Sequence, residues 1–164
     1  MTLRLILMRH AKSDWGDIDQ PDHDRDLNTR GVRSAAAMGD WLRSKDYLPD
    51  HILSSDAQRT RATCAELALP PDPQFLRALY LASSEDMLAT LQHVTEAKTV
   101  LMLGHNPGIA DLASRLLTQF PDDPEFTRYP SCATSVIAFD CDTWRGAHLE
   151  TGHLLDFMVP KRLL

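Results

Sequence analysis

The sequence predicts an α/β sandwich built on a largely parallel central sheet. Three observations carry that prediction: short apolar runs of strand length, helical patterns between them, and a change of rhythm near the end of the chain. Leu3 to Met8 is a nearly continuous apolar run, the pattern of a strand covered on both faces. Ile52-Leu53, Thr99 to Leu103 and Ser135 to Phe139 repeat it. Asn28 or Thr29 can cap a helix carrying Val32, Ala35, Ala36, Met38, Trp41 and Leu42, apolar residues at three- and four-residue spacing. Gln58 to Leu67, Ser84 to Val94 and Pro107 to Leu117 read likewise, the last with a proline suited to a first turn. Ser54 or Ser55 is expected to cap the helix starting near Gln58. Ser135 to Asp140 and His148 to Met158 are strand-like and joined by a turn containing Gly146, which predicts an antiparallel C-terminal hairpin. Trp15 to Leu27 is rich in aspartate and broken by Gly16 and Pro21, so it reads as a loop over the end of the first strand.

The bulk numbers narrow the function classes. A chain of 164 residues suits a single domain over 1–164 with a real core. Apolar residues make up 43% and charged ones 24%, an ordinary globular balance. No apolar run approaches the roughly 20 residues that span a bilayer, and the apolar start ends at Arg9-His10, too early for an export signal. The expected location is therefore the cytoplasm. Cys64, Cys132 and Cys141 form no CxxC pair, which argues against a disulfide framework. The net charge of -6 and the lack of a basic run argue against nucleic acid as partner. An anionic substrate would need cations gathered locally, because the field of the whole molecule repels it.

In open α/β sheets, chemistry sits beyond the carboxyl ends of the strands. Arg9-His10 follows the first strand, Ser54-Ser55 leads to Arg59 after the second, and Gly104-His105-Asn106 follows the Thr99 to Leu103 strand. Phosphoryl transfer needs a nucleophile and donors matched to the equatorial oxygens. Arginine offers a permanently charged planar fork for those oxygens. A neutral imidazole can attack phosphorus in line, leaving a phosphohistidine for water to hydrolyse.

These segments carry a resemblance. Arg9-His10-Ala11-Lys12-Ser13 is similar to the Arg-His-Gly signature of the histidine phosphatase superfamily, with Ala11 in the glycine place as in the SixA-like phosphohistidine phosphatase branch. Asp24 to Gly31 resembles the stretch before the first helix, Ser54 to Thr60 the segment carrying a second phosphate arginine, and Gly104-His105-Asn106-Pro107 the segment carrying a second histidine. The match runs from Leu3 to about Pro160. It implies a three-layer α/β/α sandwich (the phosphoglycerate mutase-like fold) with a mostly parallel central sheet. It further implies His10 as the phosphorylated nucleophile, a phosphate pocket of Arg9, Arg59 and His105, and neither metal nor organic cofactor.

A proton donor for the leaving group is harder to place. Relatives use an acid directly after the second histidine, where this chain has Asn106, or a glutamate after the third strand. Glu85 falls in that region without matching the motif, and as a residue of a helical first turn it has an alternative reason to be there. Asp14 and Asp24 are further possibilities. Ser13, Lys12 and Asn106 are read as substrate contacts, and Trp15 as a rim residue. Without a committed acid, the site suits the labile P–N bond of phosphohistidine better than an alkyl phosphate, whose departure gains about 10²–10⁴-fold from acid catalysis. A phosphorylated protein is thus the expected substrate, with a small phosphorylated metabolite as the alternative and a non-catalytic phospho-residue binder as a third. His10 should be neutral and His105 a cation, their titrations pushed apart.

Overall fold

The computed structural model describes residues 1–164. In chain order the strands are β1 Thr2–Arg9, β2 His51–Ser55, β3 Gln74–Leu76, β4 Thr99–Gly104, β5 Thr134–Asp140 and β6 Gly152–Met158. They form one sheet in the order β3-β2-β4-β1-β5-β6. Pairs β3/β2, β2/β4 and β4/β1 are parallel, whereas β5 runs antiparallel to β1 and β6 antiparallel to β5. The helices are α1 Thr29–Ser44, α2 Gln58–Leu67, α3 Ser84–Gln92, α4 Gly108–Leu116 and α5 Pro124–Arg128.

The continuous apolar run of β1 is explained by cover on both faces. Leu3, Leu5 and Leu7 enter one core with Leu91 of α3, Leu112 of α4 and Phe126 of α5. Ile6 and Met8 enter the other with Met38 and Leu42 of α1 and Leu67 of α2. Successive side chains of a strand point to opposite faces, so an alternating strand would have left one face bare. The result is three layers, helices on either side of the sheet.

Two loop contacts prepare the site. Asn28 caps α1 by accepting from Gly31 N at 2.8 Å, and Asn28 N donates to Lys12 O at 3.0 Å. A Cβ on Gly31 would stand 2.2 Å from Lys12 O, so only glycine lets α1 press on the backbone just after His10. Arg25, 3% exposed, gathers the carbonyls of Asp17 and Gln20 at 2.8 and 3.1 Å and stacks on Trp15 at 3.9 Å. This guanidinium holds the Asp-rich loop, which contains a short 3-10 turn at Asp22–Asp24.

Some sequence expectations shift. The third helix ends at Gln92, not Val94, and the last strand begins at Gly152, not His148. Strand β3 and helix α5, of 3 and 5 residues, were not foreseen because neither spans enough residues to show a period. Neither Ser54 nor Ser55 caps α2: its N-cap is Ala57, with no side-chain cap bond.

Candidate active site

The register of the sheet brings the two histidine segments level. Arg9 of β1 pairs with Gly104 of β4, and His10 N donates to Gly104 O at 3.1 Å. His10 and His105 therefore leave neighbouring parallel strands at one height, their ring centroids 5.2 Å apart. Arg59 arrives from the first turn of α2, beyond β2. Its Nε lies 3.4 Å from His10 Nε2, and its Nη2 lies 3.2 Å from His105 Nδ1. One guanidinium thus bridges both imidazoles.

Hydrogen bonds assign the tautomers. His10 Nδ1 donates to Ala11 O at 2.7 Å, so in the neutral ring the Nε2 lone pair faces the pocket. At His105, Arg59 can only donate, which makes Nδ1 the acceptor and sends the Nε2 hydrogen to Ser55 Oγ at 2.8 Å. Ala11 is held in turn by its N–H to Thr63 Oγ1 at 3.0 Å. Arg9 donates through Nη1 to Tyr129 O at 3.2 Å, and its buried Nε has no hydrogen-bond partner. That leaves an uncommitted donor on a permanent cation next to His10 in the chain.

His10, Arg59 and His105 are 7%, 5% and 2% exposed, and burial governs their titration. Burial lowers His10 to about 4, with Arg59 and Arg9 adding to the effect and the Ala11 carbonyl opposing it. Burial lowers His105 to about 3, assisted by His10 and Arg59 and opposed by Asp22. Both rings are neutral near pH 7. The expectation of a neutral His10 beside a cationic His105 is corrected: two arginines and one shared burial push both titrations the same way.

Asp22 and Tyr80 complete the group, and sequence reasoning missed both. Arg59 donates to Asp22 O at 2.7 Å and to Asp22 Oδ2 at 3.0 Å. The Tyr80 hydroxyl donates to the same carboxylate oxygen, while its ring stands edge-on to His105 at 5.4 Å. Burial opposes ionisation of Asp22, but the bonds from Tyr80 and Arg59 outweigh it and hold its carboxyl below the ordinary range. The Asp-rich composition of the loop signalled a carboxylate nearby, but spacing alone does not single out Asp22 from its neighbours.

The other expected contacts lie elsewhere. Glu85 is tied to Arg115 of α4 at 2.5 Å and does not join the histidines. Asp14 accepts from Gly16 N at 2.8 Å, and Asp24 is exposed beside His23, so neither is bonded to His10, Arg59 or His105. Ser13 Oγ is engaged by Trp15 Nε1 at 2.9 Å, and Trp15 is 59% exposed. Asn106 donates to Tyr129 O at 3.0 Å and accepts from Ala110 N at 3.3 Å, which fixes the loop around Arg9. Lys12 is exposed. No group of three or more His, Cys, Asp or Glu residues is arranged to hold a metal ion. No helix is long and apolar enough to cross a membrane.

Three layers of this topology, with Arg9 and two buried imidazoles at strand ends and Arg59 bridging the imidazoles, define a phosphate-handling α/β protein. Residues 5–79 match the family model of the histidine phosphatase superfamily, branch 1. A chloroplastic protein of Arabidopsis thaliana is 36% identical over 69% of this chain, a stretch that takes in 58% of that longer relative. A protein of Mycobacterium leprae (strain TN) is 30% identical over 94% of this chain and its own full length. A solved structure from Nakamurella multipartitia, whose description names phosphohistidine phosphatase SixA, superposes with a TM-score of 0.86 at 29% identity, covering 98% of this chain and 97% of the other. The chain belongs to the histidine phosphatase superfamily, and within it to the SixA-like branch. It is an enzyme, a phosphatase.

Proposed function

We propose that this phosphatase removes phosphate from phosphohistidine in a protein, through a transient phosphohistidine on His10. One observation carries the reading: the only carboxylate at the pocket, Asp22, is held ionised by Arg59 and Tyr80. A site with no protonated acid at neutral pH gives little help to an alkoxide leaving group. It suffices for an imidazole, which leaves neutral when its second nitrogen already carries a proton. The description of the Nakamurella structure supports the same substrate class.

The geometry supports the following steps. The His10 Nε2 lone pair attacks phosphorus, and the P–N bond to the substrate imidazole breaks with its electron pair leaving on that nitrogen. Arg9 and Arg59 neutralise the equatorial oxygens. His105, next to Arg59, donates to the same oxygens once the phosphate dianion has restored its affinity for a proton. Water then attacks the phosphoryl group on His10, inorganic phosphate leaves, and the ring regains its lone pair. The Ala11 carbonyl keeps the ring in the reactive tautomer throughout.

The test is turnover of a phosphohistidine protein by wild type and His10→Ala, with acid quenching to trap phosphoenzyme. Wild type should release phosphate and show an acid-labile phosphoryl group that His10→Ala lacks. Equal release by both proteins overturns the nucleophile. Stoichiometric phosphate binding without a phosphoenzyme would favour a binding module, and a marked preference for alkyl phosphates would favour a metabolite phosphatase.

A further inference from the structure

Beside the catalytic pocket lies a second cleft of about 310 Å³ that the phosphatase chemistry leaves unused. Lys12, Arg30, Arg128 and Lys161 line it, with Glu125 the single acid among them. Glu125 Oε1 takes both Lys161 at 2.6 Å and Arg128 at 2.9 Å. One carboxylate thus answers two of four cations, which leaves Lys12 and Arg30 unpaired in a protein whose net charge is -6. Arg30 sits in the first turn of the 16-residue α1, a turn without any acid. The positive end of a helix disfavours a cation there and favours an anion. Apolar lining is almost lacking, since only Val159 and the rings of Pro130 and Pro160 offer it.

Two segments of the cleft wall lead directly to His10. Lys12 follows His10 by two residues, and Pro130 and Ser131 belong to the loop whose Cys132 N donates to His10 O at 2.9 Å. The Asp-rich loop reaches the pocket through Asp22, and its Asp17, Asp19 and Asp24 are exposed. Acids gathered in that loop and bases gathered in the cleft give the rim two opposite signs of charge. An acidic chain entering the site is repelled by the loop and drawn to the cleft.

We propose that the Lys12–Arg30–Arg128–Lys161 cleft is a docking site for an acidic segment of the phosphoprotein substrate, on one side of the phosphorylated residue. This rests on the phosphohistidine reading above. The test uses histidine peptides phosphorylated by phosphoramidate, with a run of glutamates on either side of the phosphohistidine or with glutamines in their place. Wild type should cleave one glutamate-flanked peptide with a kcat/KM on the order of tenfold above the glutamine-flanked one, mostly through KM. High salt should erase the preference. The double variant Arg30→Gln/Arg128→Gln should bring the two peptides to parity and leave turnover of phosphoramidate itself unchanged.

Equal kcat/KM for all peptides with wild type overturns the proposal, as does a preference that survives in the double variant. Sulfate inhibition that vanishes in the double variant, without any peptide preference, assigns the cleft to a small anion and also overturns it. If no phosphohistidine peptide is cleaved, the substrate reading fails by itself. The same flanks around phosphoserine then decide the cleft, by the same preference or its lack.

Discussion

The two ends of the sheet make an instructive pair. At the amino ends of β2 and β4 lies a cavity of about 460 Å³ lined by Asp50, His51, His93 and Glu96, among others. It is roomy and holds two histidines and two acids, yet its polar groups serve the fold. Asp50 accepts from Lys98 N and Thr99 N at 2.8 and 3.0 Å, and His93 Nδ1 donates to Ala89 O at 2.7 Å. At the carboxyl ends, His10, Arg59 and His105 are nearly buried, yet two cations and two imidazoles converge there. Convergence of unlike functional groups on one point, not the volume of a cavity, separates the site from the bystander.

Substituting one histidine at each end would break this contrast most sharply. His10→Ala should lower phosphatase turnover by about 10³-fold or more, as loss of a covalent nucleophile does. His93→Ala should leave turnover within about twofold. Similar losses at both ends would undo the contrast. Arg59 comes next, because a single guanidinium touches both rings and Asp22. Arg59→Lys should cost about 10²-fold in kcat/KM, since a point charge cannot replace the fork. Full activity in Arg59→Lys would show that charge alone suffices.

Acid titration sharpens the contrast in stability. His10 and His105 are lowered to about 4 and about 3 in the folded chain, against about 6.5 unfolded. Between those values the unfolded chain binds protons that the native site refuses, so stability falls as the pH drops below about 6.5. The loss ends near the folded values and amounts to at most about 3 kcal/mol for His10 and about 5 kcal/mol for His105. Denaturant titrations of wild type and of His10→Asn/His105→Asn at several pH values check this. The variant should lose that part of the slope, whereas His51→Asn/His93→Asn should keep it.

Smaller effects test the surroundings. Asp22→Asn removes the carboxylate that shares Arg59 with the incoming phosphate, so inorganic phosphate should inhibit about three- to tenfold more tightly. Unchanged inhibition would remove Asp22 from the phosphate field. Ser55→Ala deprives His105 Nε2 of its acceptor, and kcat should fall by about two- to fivefold with KM little altered. A drop confined to KM would mean that Ser55 does not work through His105.

The legibility of the chain followed the length of its signals. Long periodic segments such as Gln58–Leu67 were readable to the residue, because ten positions suffice to display a helical face. Short pieces such as β3 and α5 were not, since their existence depends on the edge of β2 and on the packing of Phe126 against Tyr129. In the candidate site, Arg9, His10, Arg59 and His105 were named from their places after strands together with the family resemblance, and the structure brings His10, Arg59 and His105 into contact. Glu85 could not be dismissed until α4 presented Arg115 to it.

The sequence by itself determined the alternation of strands and helices, the strand-end positions of Arg9 and both histidines, the place of Arg59 on the helix after β2, and the family. Local patterns suffice for those, because periodicity and motif spacing are properties of contiguous residues. Only the tertiary structure decided that Asp22 is the carboxylate at the pocket, that Ser55 holds His105, and that both histidines are neutral. Those outcomes depend on burial and on partners distant in the chain, and desolvation acts only once the chain has closed around them.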